Sequence, residues 1–384
     1  MYPSTNYKHK NPKQQGELKA TMEKKRTLAK AKIDKKDEFY TRYEDIQAEL
    51  NHYEEHFKGK TVLCNCDDPY ESNFCKFFLR NFNYLGLRRL ICTSYSTSPV
   101  VGQQLSIFDE DNEQVVPGNG YVMDITEVPM ANGRGISDED IYRLLSSKKR
   151  GVKKLKGTGD FRSEECIFYL KQADIVVTNP PFSLFKEYVA QLIEYEKKFI
   201  IIGNQNAIAY KEIFPFIRDN KLWLGNGFKG NVGFFESPYQ DYAVSSQHKE
   251  GLIRVSGVMW FTNLDLQKRH EELILFRTYN PEDYPLYANY QAINVDKTTE
   301  IPKDYEGTMG VPITFLDKFN PDQFDIIGLG ITELGKSIGV GDYDRKYKTP
   351  ASRDGTLYYV KDGKGIVPYA RVLIRNKHPE KGDE

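Results

Sequence analysis

Short apolar runs that alternate with helical patterns restrict this chain more than any other feature. "KTVLCNC" (60–66), "RRLICTSY" (88–95), "DIVVT" (174–178) and "KKFIIIGN" (197–204) are strand-length, apolar and bounded by polar or breaker residues. Helical periodicity fills 72–83, 185–195 and 209–218 between or after them, and "KLWLG" (221–225) follows. Runs that are apolar at every position suit strands covered on both faces, so the expected class is α/β with a doubly wound, mostly parallel sheet. Residues 96–135 are rich in Gly, Pro, Asn and Ser; they read as an insertion at the sheet edge, with a strand pair around Val115 and Val122. The pattern breaks again over 226–256, then "GVMWFTNL" (257–264) returns as a strand expected to rejoin the same sheet. The expected division is therefore a flexible basic arm at 1–36, a main domain at 37–225 and a less regular part at 226–384.

At 384 residues the chain can bury a sizeable core. No apolar run approaches the ~20 residues of a membrane span and no signal-peptide core opens the sequence, which leads to the expectation of a cytoplasmic protein with no membrane partner. Five cysteines, an odd number with no paired zinc spacing, read as buried thiols rather than a disulfide framework. "HYEEH" (52–56) matches a metalloprotease pattern, but its face is polar and no further ligand motif follows, so it reads as a solvated helix end and no metal is expected. The net charge of zero conceals segregation. Residues 1–37 carry ten Lys and one Arg against four acids, and "SSKKRGVKKLKGTG" (146–159) has six cations and no acid. Such stretches are either solvated surface or contacts for a polyanion.

The stretch "DIVVTNPPFSLFKEY" (174–188) carries the chemistry. Two prolines forbid both a continued ladder and an immediate helix, so the chain is held rigid where Asn179 and Phe182 leave the sheet. That end of a strand is where open α/β sheets place their sites. An amino group attached to a planar base is a poor nucleophile, because its lone pair is delocalised into the ring. Two acceptors on its hydrogens, the Asn179 carboxamide oxygen and the Pro180 carbonyl, draw it toward tetrahedral geometry. Pro181 stiffens the turn, and Phe182 offers a face for stacking, worth ~1–3 kcal/mol per base. Alignment with a sulfonium methyl donor then suffices, without covalent catalysis or a strong base.

Asn-Pro-Pro-Phe resembles the signature of amino-directed DNA methyltransferases. The wider chain, from "DEFYTRYEDI" to "GVPITFLDKFNPDQF" with the terminal "RVLIRNK", is similar to the EcoRI-type adenine-specific (N6) family. The resemblance implies a Rossmann-like methyltransferase sheet, S-adenosyl-L-methionine as cofactor and double-stranded DNA as partner. It also implies a flipped target adenine and either a cognate restriction endonuclease or a solitary role, with the enzyme a monomer. "EFYT" stands at the N-terminal cofactor segment, which implies cofactor contacts from Tyr40 and Thr41. In "CDDPYESNF", Asp68 and Pro69 match the loop after the first strand. Ser72 and Phe74 replace its glycines, so the loop approaches the cofactor differently, with Ser72 and Asn73 as candidates. Asp160 and Phe161 in "GDFRS" match the pair that binds the donor's adenine, though Asp160 also suits a helix cap. Asn179 belongs to both the catalytic and the cofactor sets. "ICTSY" lacks the acid that usually holds the ribose.

In the family arrangement the C-terminal part supplies target recognition, and "GNGFKGNVGFFESPYQDY" fits groove-entering loops or plain packing equally. Lys24, Lys25 and Arg26 in the arm, Lys148, Lys149, Arg150, Lys153, Lys154 and Lys156 in the basic cluster, and Lys229 are the candidate DNA contacts. Two alternatives remain: an amino-group methyltransferase acting on RNA or protein, and a DNA-binding relative without catalysis.

Overall fold

The computed structural model describes residues 40–69, 71–95, 119–129, 136–145, 152–228, 230, 232–236 and 252–381. The arm with Lys24, Lys25 and Arg26, most of the expected insertion including Val115, and Lys148, Lys149, Arg150 and Lys229 lie outside the described residues.

The chain opens with β1 (Tyr40–Thr41), followed by β2 (Thr61–Asn65), β3 (Arg89–Ser94), β4 (Tyr121–Ile125), β5 (Val152–Lys154), β6 (Ile175–Thr178), β7 (Lys198–Asn204) and β8 (Trp223–Leu224). Next come β9 (Val232–Glu236), β10 (Leu252–Ser256) and β11 (Val258–Thr262). The main sheet has eight strands in the order β5-β4-β3-β2-β6-β7-β11-β8. Its centre, β3-β2-β6-β7, is parallel, with Cys64 opposite Cys92 and Val177 opposite Ile200. Strands β4 and β11 run against their neighbours, so antiparallel pairings flank the parallel centre on both sides. The sheet is thus mixed by pairing, although β5 and β8 point the same way as the centre. The strand expected around Val122 is Tyr121–Ile125, which pairs with β3 one place in from the edge strand β5, and β11 lies between β7 and β8.

Both faces of the sheet are covered, which explains why its strands show no polar alternation. Leu63, Ile91, Val176 and Phe199 pack on one side with Cys166, Leu170, Tyr188 and Leu192 from the helices Glu164–Gln172 and Phe185–Glu194. Val62, Cys64, Leu90 and Val177 pack on the other with Ile46, Leu50, Phe74 and Phe78 from the helices Tyr43–Leu50 and Asn73–Arg80. The period-2 alternation of Cβ directions along each strand divides the residues in this way.

Beyond this sheet the chain forms β12 (Ile293–Asn294), β13 (Met309–Pro312), β14 (Phe324–Leu329), β15 (Tyr359–Lys361), β16 (Lys364–Ile366) and β17 (Arg371–Asn376). A four-stranded sheet, β12-β13-β17-β14, joins the main core through Phe315, Phe324, Val372 and Ile374, and β15 pairs with β16 as a hairpin. A third sheet, β1-β9-β10, sets Tyr40 opposite Glu236. Glu49 anchors the approach to it. One carboxylate oxygen accepts from Asn226 N at 2.8 Å and Tyr53 OH at 2.9 Å, and the other accepts from Gly227 N at 3.0 Å. Burial pushes this carboxyl's pKa up.

Candidate active site

The ends of β2 and β6 lie side by side, and a buried polar chain joins them. After β2, Cys66 takes a left-handed φ of 66°, which turns the two acids that follow. The Asp67 amide donates to Thr93 O at 3.0 Å and anchors the loop on β3. Ser72 Oγ donates to Asp67 Oδ1 at 2.7 Å and accepts from Phe74 N at 3.1 Å, capping the helix Asn73–Arg80. Asp68, Pro69 and Ser72 are buried, and Asp68 braces the turn by accepting from Glu71 N at 3.3 Å. Phe74, in a position where the sequence pattern expects glycine, is a core residue packed edge-on against Trp260 at 6.0 Å. The loop is therefore closed by a serine cap and a buried ring. Asn73 Nδ2 donates to Thr41 O at 2.8 Å, which brings Tyr40 and Thr41 onto the same loop.

From the other side, Thr178 Oγ1 contacts the Asn65 carbonyl oxygen and lies 2.5 Å from Asp67 Oδ2. A hydroxyl has one hydrogen and here faces two oxygens. The arrangement is satisfied when Asp67 carries a proton on Oδ2 and donates to Thr178, which donates to Asn65 O. Burial, with the nearby Cys75 thiol and Asp68, pushes the Asp67 carboxyl well above the usual carboxylate range, in agreement with that reading. Immediately after Thr178 the half-buried Asn179 leaves the sheet, followed by the buried Pro180. Pro181 O accepts from Leu184 N at 2.9 Å, folding Phe182–Leu184 into a single 3-10 turn before the helix Phe185–Glu194 begins. Phe182 is half-buried against the core.

The segment with Asp160 and Phe161 closes over the end of β3. Gly159 has φ 80°, and a Cβ there would stand 2.0 Å from Ser94 O, so only glycine allows the approach. Phe161 is buried edge-on against Tyr188 at 5.0 Å, and Tyr188 OH donates to Asn65 Oδ1. Gln191 Nε2 donates to Phe161 O at 3.2 Å. The Asp160 carboxylate accepts a fork from Arg162, Nε at 2.9 Å and Nη2 at 2.7 Å. Ser163, not Asp160, caps the helix Glu164–Gln172 through Cys166 N at 3.2 Å, so the capping alternative for Asp160 fails.

The structure thus gathers Thr41, Asp68, Pro69, Ser72, Asn73, Phe161 and Asn179 around two adjacent strand ends. It places Lys153, Lys154 and Lys156 elsewhere: they are exposed on and beyond the edge strand β5, with β4, β3 and β2 between them and β6. Asp67, Tyr188, Gln191 and Ser94 were missed by sequence reasoning. Only the doubled acid of "CDDP" hinted at one of them. Thr41 Oγ1 and Ser94 Oγ are buried without a hydrogen-bond partner among the described residues. Orphaned polar atoms of this kind suit a polar ligand. His56 Nε2 lies 3.0 Å from Asp265 O, and no group of metal-ligating side chains occurs among the described residues. No helix among them is long and apolar enough to cross a membrane.

Residues 27–377 match the family model described as "Adenine-specific methyltransferase EcoRI". The Type II methyltransferase M.EcoRI of Escherichia coli is 43% identical over 363 residues, covering 92% of this chain and 97% of the relative. The Type II methyltransferase M.MpnI of Mycoplasma pneumoniae is 38% identical over 361 residues, covering 91% and 97%. M.MgeORF184P of Mycoplasma genitalium, also a Type II methyltransferase, is 36% identical over 308 residues, covering 78% and 84%. No solved structure matches the chain. With the family match spanning the whole of the strand-end site and nearly all of its scaffold, the chain belongs to the EcoRI family of adenine-specific methyltransferases.

Proposed function

We propose that the protein methylates N6 of an adenine flipped out of duplex DNA, with S-adenosylmethionine as donor. The observation that carries the proposal is the junction at Thr178. One buried hydroxyl ties the Asp67 loop to the strand that delivers Asn179, so a donor and a target base would be held by one rigid unit. When bound, the donor supplies an electrophilic methyl group on a sulfonium.

In this reading the Asn179 carboxamide oxygen and the Pro180 carbonyl accept the two amino hydrogens of the base. The turn begun at Pro181 holds both acceptors still, and Phe182 stacks on the ring. The donor fits the residues present. Thr41 and Ser94 offer unsatisfied buried hydroxyls, and the Asp68–Asn73 loop with Tyr40 covers the methionine end. Asp160 and Phe161 take the donor's adenine, the phenyl ring being held in place by Tyr188. Ser94 stands at the strand end where the family usually has an acid for the ribose, and we assign the ribose to it. The 226–384 part supplies target recognition, and the exposed Lys153, Lys154 and Lys156 meet phosphates. Flipping and readout inside the duplex follow the general logic of enzymes that act on bases.

The test is Asn179→Ala in single-turnover methylation of duplex DNA, with binding measured alongside. Turnover should be nearly abolished while duplex affinity stays close to wild type, because backbone contacts dominate affinity. Near-normal methylation by the variant would remove Asn179 from the proposed role.

A further inference from the structure

The segment 343–364 carries six cations, Arg345, Lys346, Lys348, Arg353, Lys361 and Lys364, against three acids. All six cations are exposed, and none makes an ion pair among the described residues. Several arginines elsewhere are matched: Arg80 holds Asp138, Arg89 holds Asp124 and Arg162 holds Asp160. Two of the three local acids are spent on the backbone. Asp344 accepts from Lys346 N at 2.9 Å and Asp354 from Tyr343 N at 3.4 Å.

The framework beneath these cations is rigid. The rings of Tyr343 and Tyr358 lie 4.0 Å apart, and Tyr343 OH donates to Tyr347 O at 2.8 Å. A Cβ on Gly365 would come within 2.5 Å of both Tyr343 OH and Tyr347 O. Only glycine therefore lets the β15–β16 hairpin press against the turn that carries Arg345, Lys346 and Lys348. Within the hairpin Lys361 and Lys364 are direct cross-strand partners around a turn of Asp362 (φ 51°) and Gly363 (φ 72°). Like charges placed directly opposite destabilise a hairpin. Lys346 lies over the Tyr347 ring at 5.2 Å and Arg353 donates to the Pro350 and Ser352 carbonyls, so none of the six is neutralised by a carboxylate, and a tyrosine-braced scaffold that holds them in such positions is suited to an external anion that spans several at once.

We propose that this face is a contact for the phosphate backbone of duplex DNA, separate from the lysines of β5. The inference rests on the DNA reading above. A duplex presents one negative charge per ~1.7 Å of axis, so several fixed cations are engaged together and their condensed counterions are released.

The experiment uses the full chain in two variants, Arg345→Gln/Lys346→Gln/Lys348→Gln and Lys361→Gln/Lys364→Gln. Binding of a cognate and a one-base-mismatched duplex is measured across salt concentrations, with melting temperature and S-adenosylmethionine affinity as controls on folding. Each contact removed should flatten the slope of log affinity against log salt by about 0.9, so the triple variant loses about two to three units. Both duplexes should weaken equally, with the controls unchanged. A slope and affinity equal to wild type would make the face merely solvated and overturn the inference. A loss confined to the cognate duplex would also overturn it, since that marks base reading. Wild-type protein that binds no duplex would sink the DNA reading itself, a result visible before any variant is compared.

Discussion

Thr178→Val tests the junction on which the site depends. Valine keeps the β-branched shape in β6, so packing is nearly preserved while the hydroxyl is lost. With Asp67 protonated as argued above, that hydroxyl accepts from Asp67 Oδ2 at 2.5 Å and donates to Asn65 O, all three residues being buried. The substitution orphans one donor and one acceptor. At ~1–3 kcal/mol for each unsatisfied buried group, partly recovered by relaxation, the loss should be about 2–4 kcal/mol. At about 2 °C per kcal/mol, the melting temperature should fall by roughly 4–8 °C. Donor affinity should fall too, because the Asp67 loop loses its tie to the strand carrying Asn179. Thermal unfolding and calorimetric titration with S-adenosylmethionine measure the two effects. Thr178→Ser serves as the control and should recover most of both. A valine variant within 1 °C or so of wild type, with wild-type donor affinity, would refute the reasoning. So would a serine variant as poor as valine, which would put the stabilisation in the methyl group.

Asp67→Asn should be tolerated, because the carboxamide copies a protonated acid, donating to Thr178 and accepting from Ser72. Burial raises the folded pKa above the ordinary 3.8, so protonation favours the fold below about pH 3.8 and that gain disappears as pH rises through the folded value. Stability scans against pH should show this slope in wild type and not in the asparagine variant. Asp160→Ala should weaken donor binding roughly 10–100-fold, the loss expected for a hydrogen bond to a charged group, with little change in melting temperature because Ser163 caps the helix; unchanged calorimetric affinity would reduce Asp160 to an anchor for Arg162. His270 sits 2.9 Å from Asp265 and 3.2 Å from Asp322, whose hydrogen bonds raise its pKa above 6.5. Its contribution, a few tenths of a kcal/mol for so exposed a pair, is present below about pH 6.5 and lost as pH rises through the folded value, and His270→Gln should flatten that part of the profile. Glu49→Gln should cost ~1–3 kcal/mol in chemical denaturation, because a carboxamide turns N–H toward at least one of the three donors now facing the carboxylate.

Much of the scaffold was legible because its strands declare themselves locally. "DIVVT" is β-branched, starts at an acid and stops at two prolines, and β6 is Ile175–Thr178. "KKFIIIGN" likewise delivers β7 as Lys198–Asn204. Strand order was less legible. Nothing in the periodicity of "KLWLG" or "GVMWFTNL" says that the later segment inserts between β7 and β8, because that choice is made by long-range packing of Trp260 and Phe261. The strand around Val122 was legible, but nothing local says that it pairs antiparallel with β3. In the site, Asn179 and Ser72 stood out by type and position. Asp67 did not, since the choice between two adjacent acids is made by a left-handed turn at Cys66, a conformation that a non-glycine residue does not advertise. Ser94 and Tyr188 lay in apolar-looking segments whose neighbours in space are remote in sequence.

The pairing of β1 with β9 has a consequence for how the molecule is made. Tyr40 meets Glu236 across roughly two hundred intervening residues, and only two residues of β1 take part. So short a strand gains little until its partner exists, while the closure entropy of the long loop is set against it. During synthesis at about 5–20 residues per second, Tyr40 and Thr41 leave the ribosome roughly ten to forty seconds before β9 does. The parallel centre of the sheet can assemble in that interval, with Asn73 Nδ2 already able to donate to the Thr41 carbonyl and the pairing to β9 added later. A nascent chain halted before residue 232 would hold the Asn-Pro-Pro-Phe turn and lack the strand partner of Tyr40 and Thr41, so the pairing that fixes this strand waits until about three-fifths of the chain has been made.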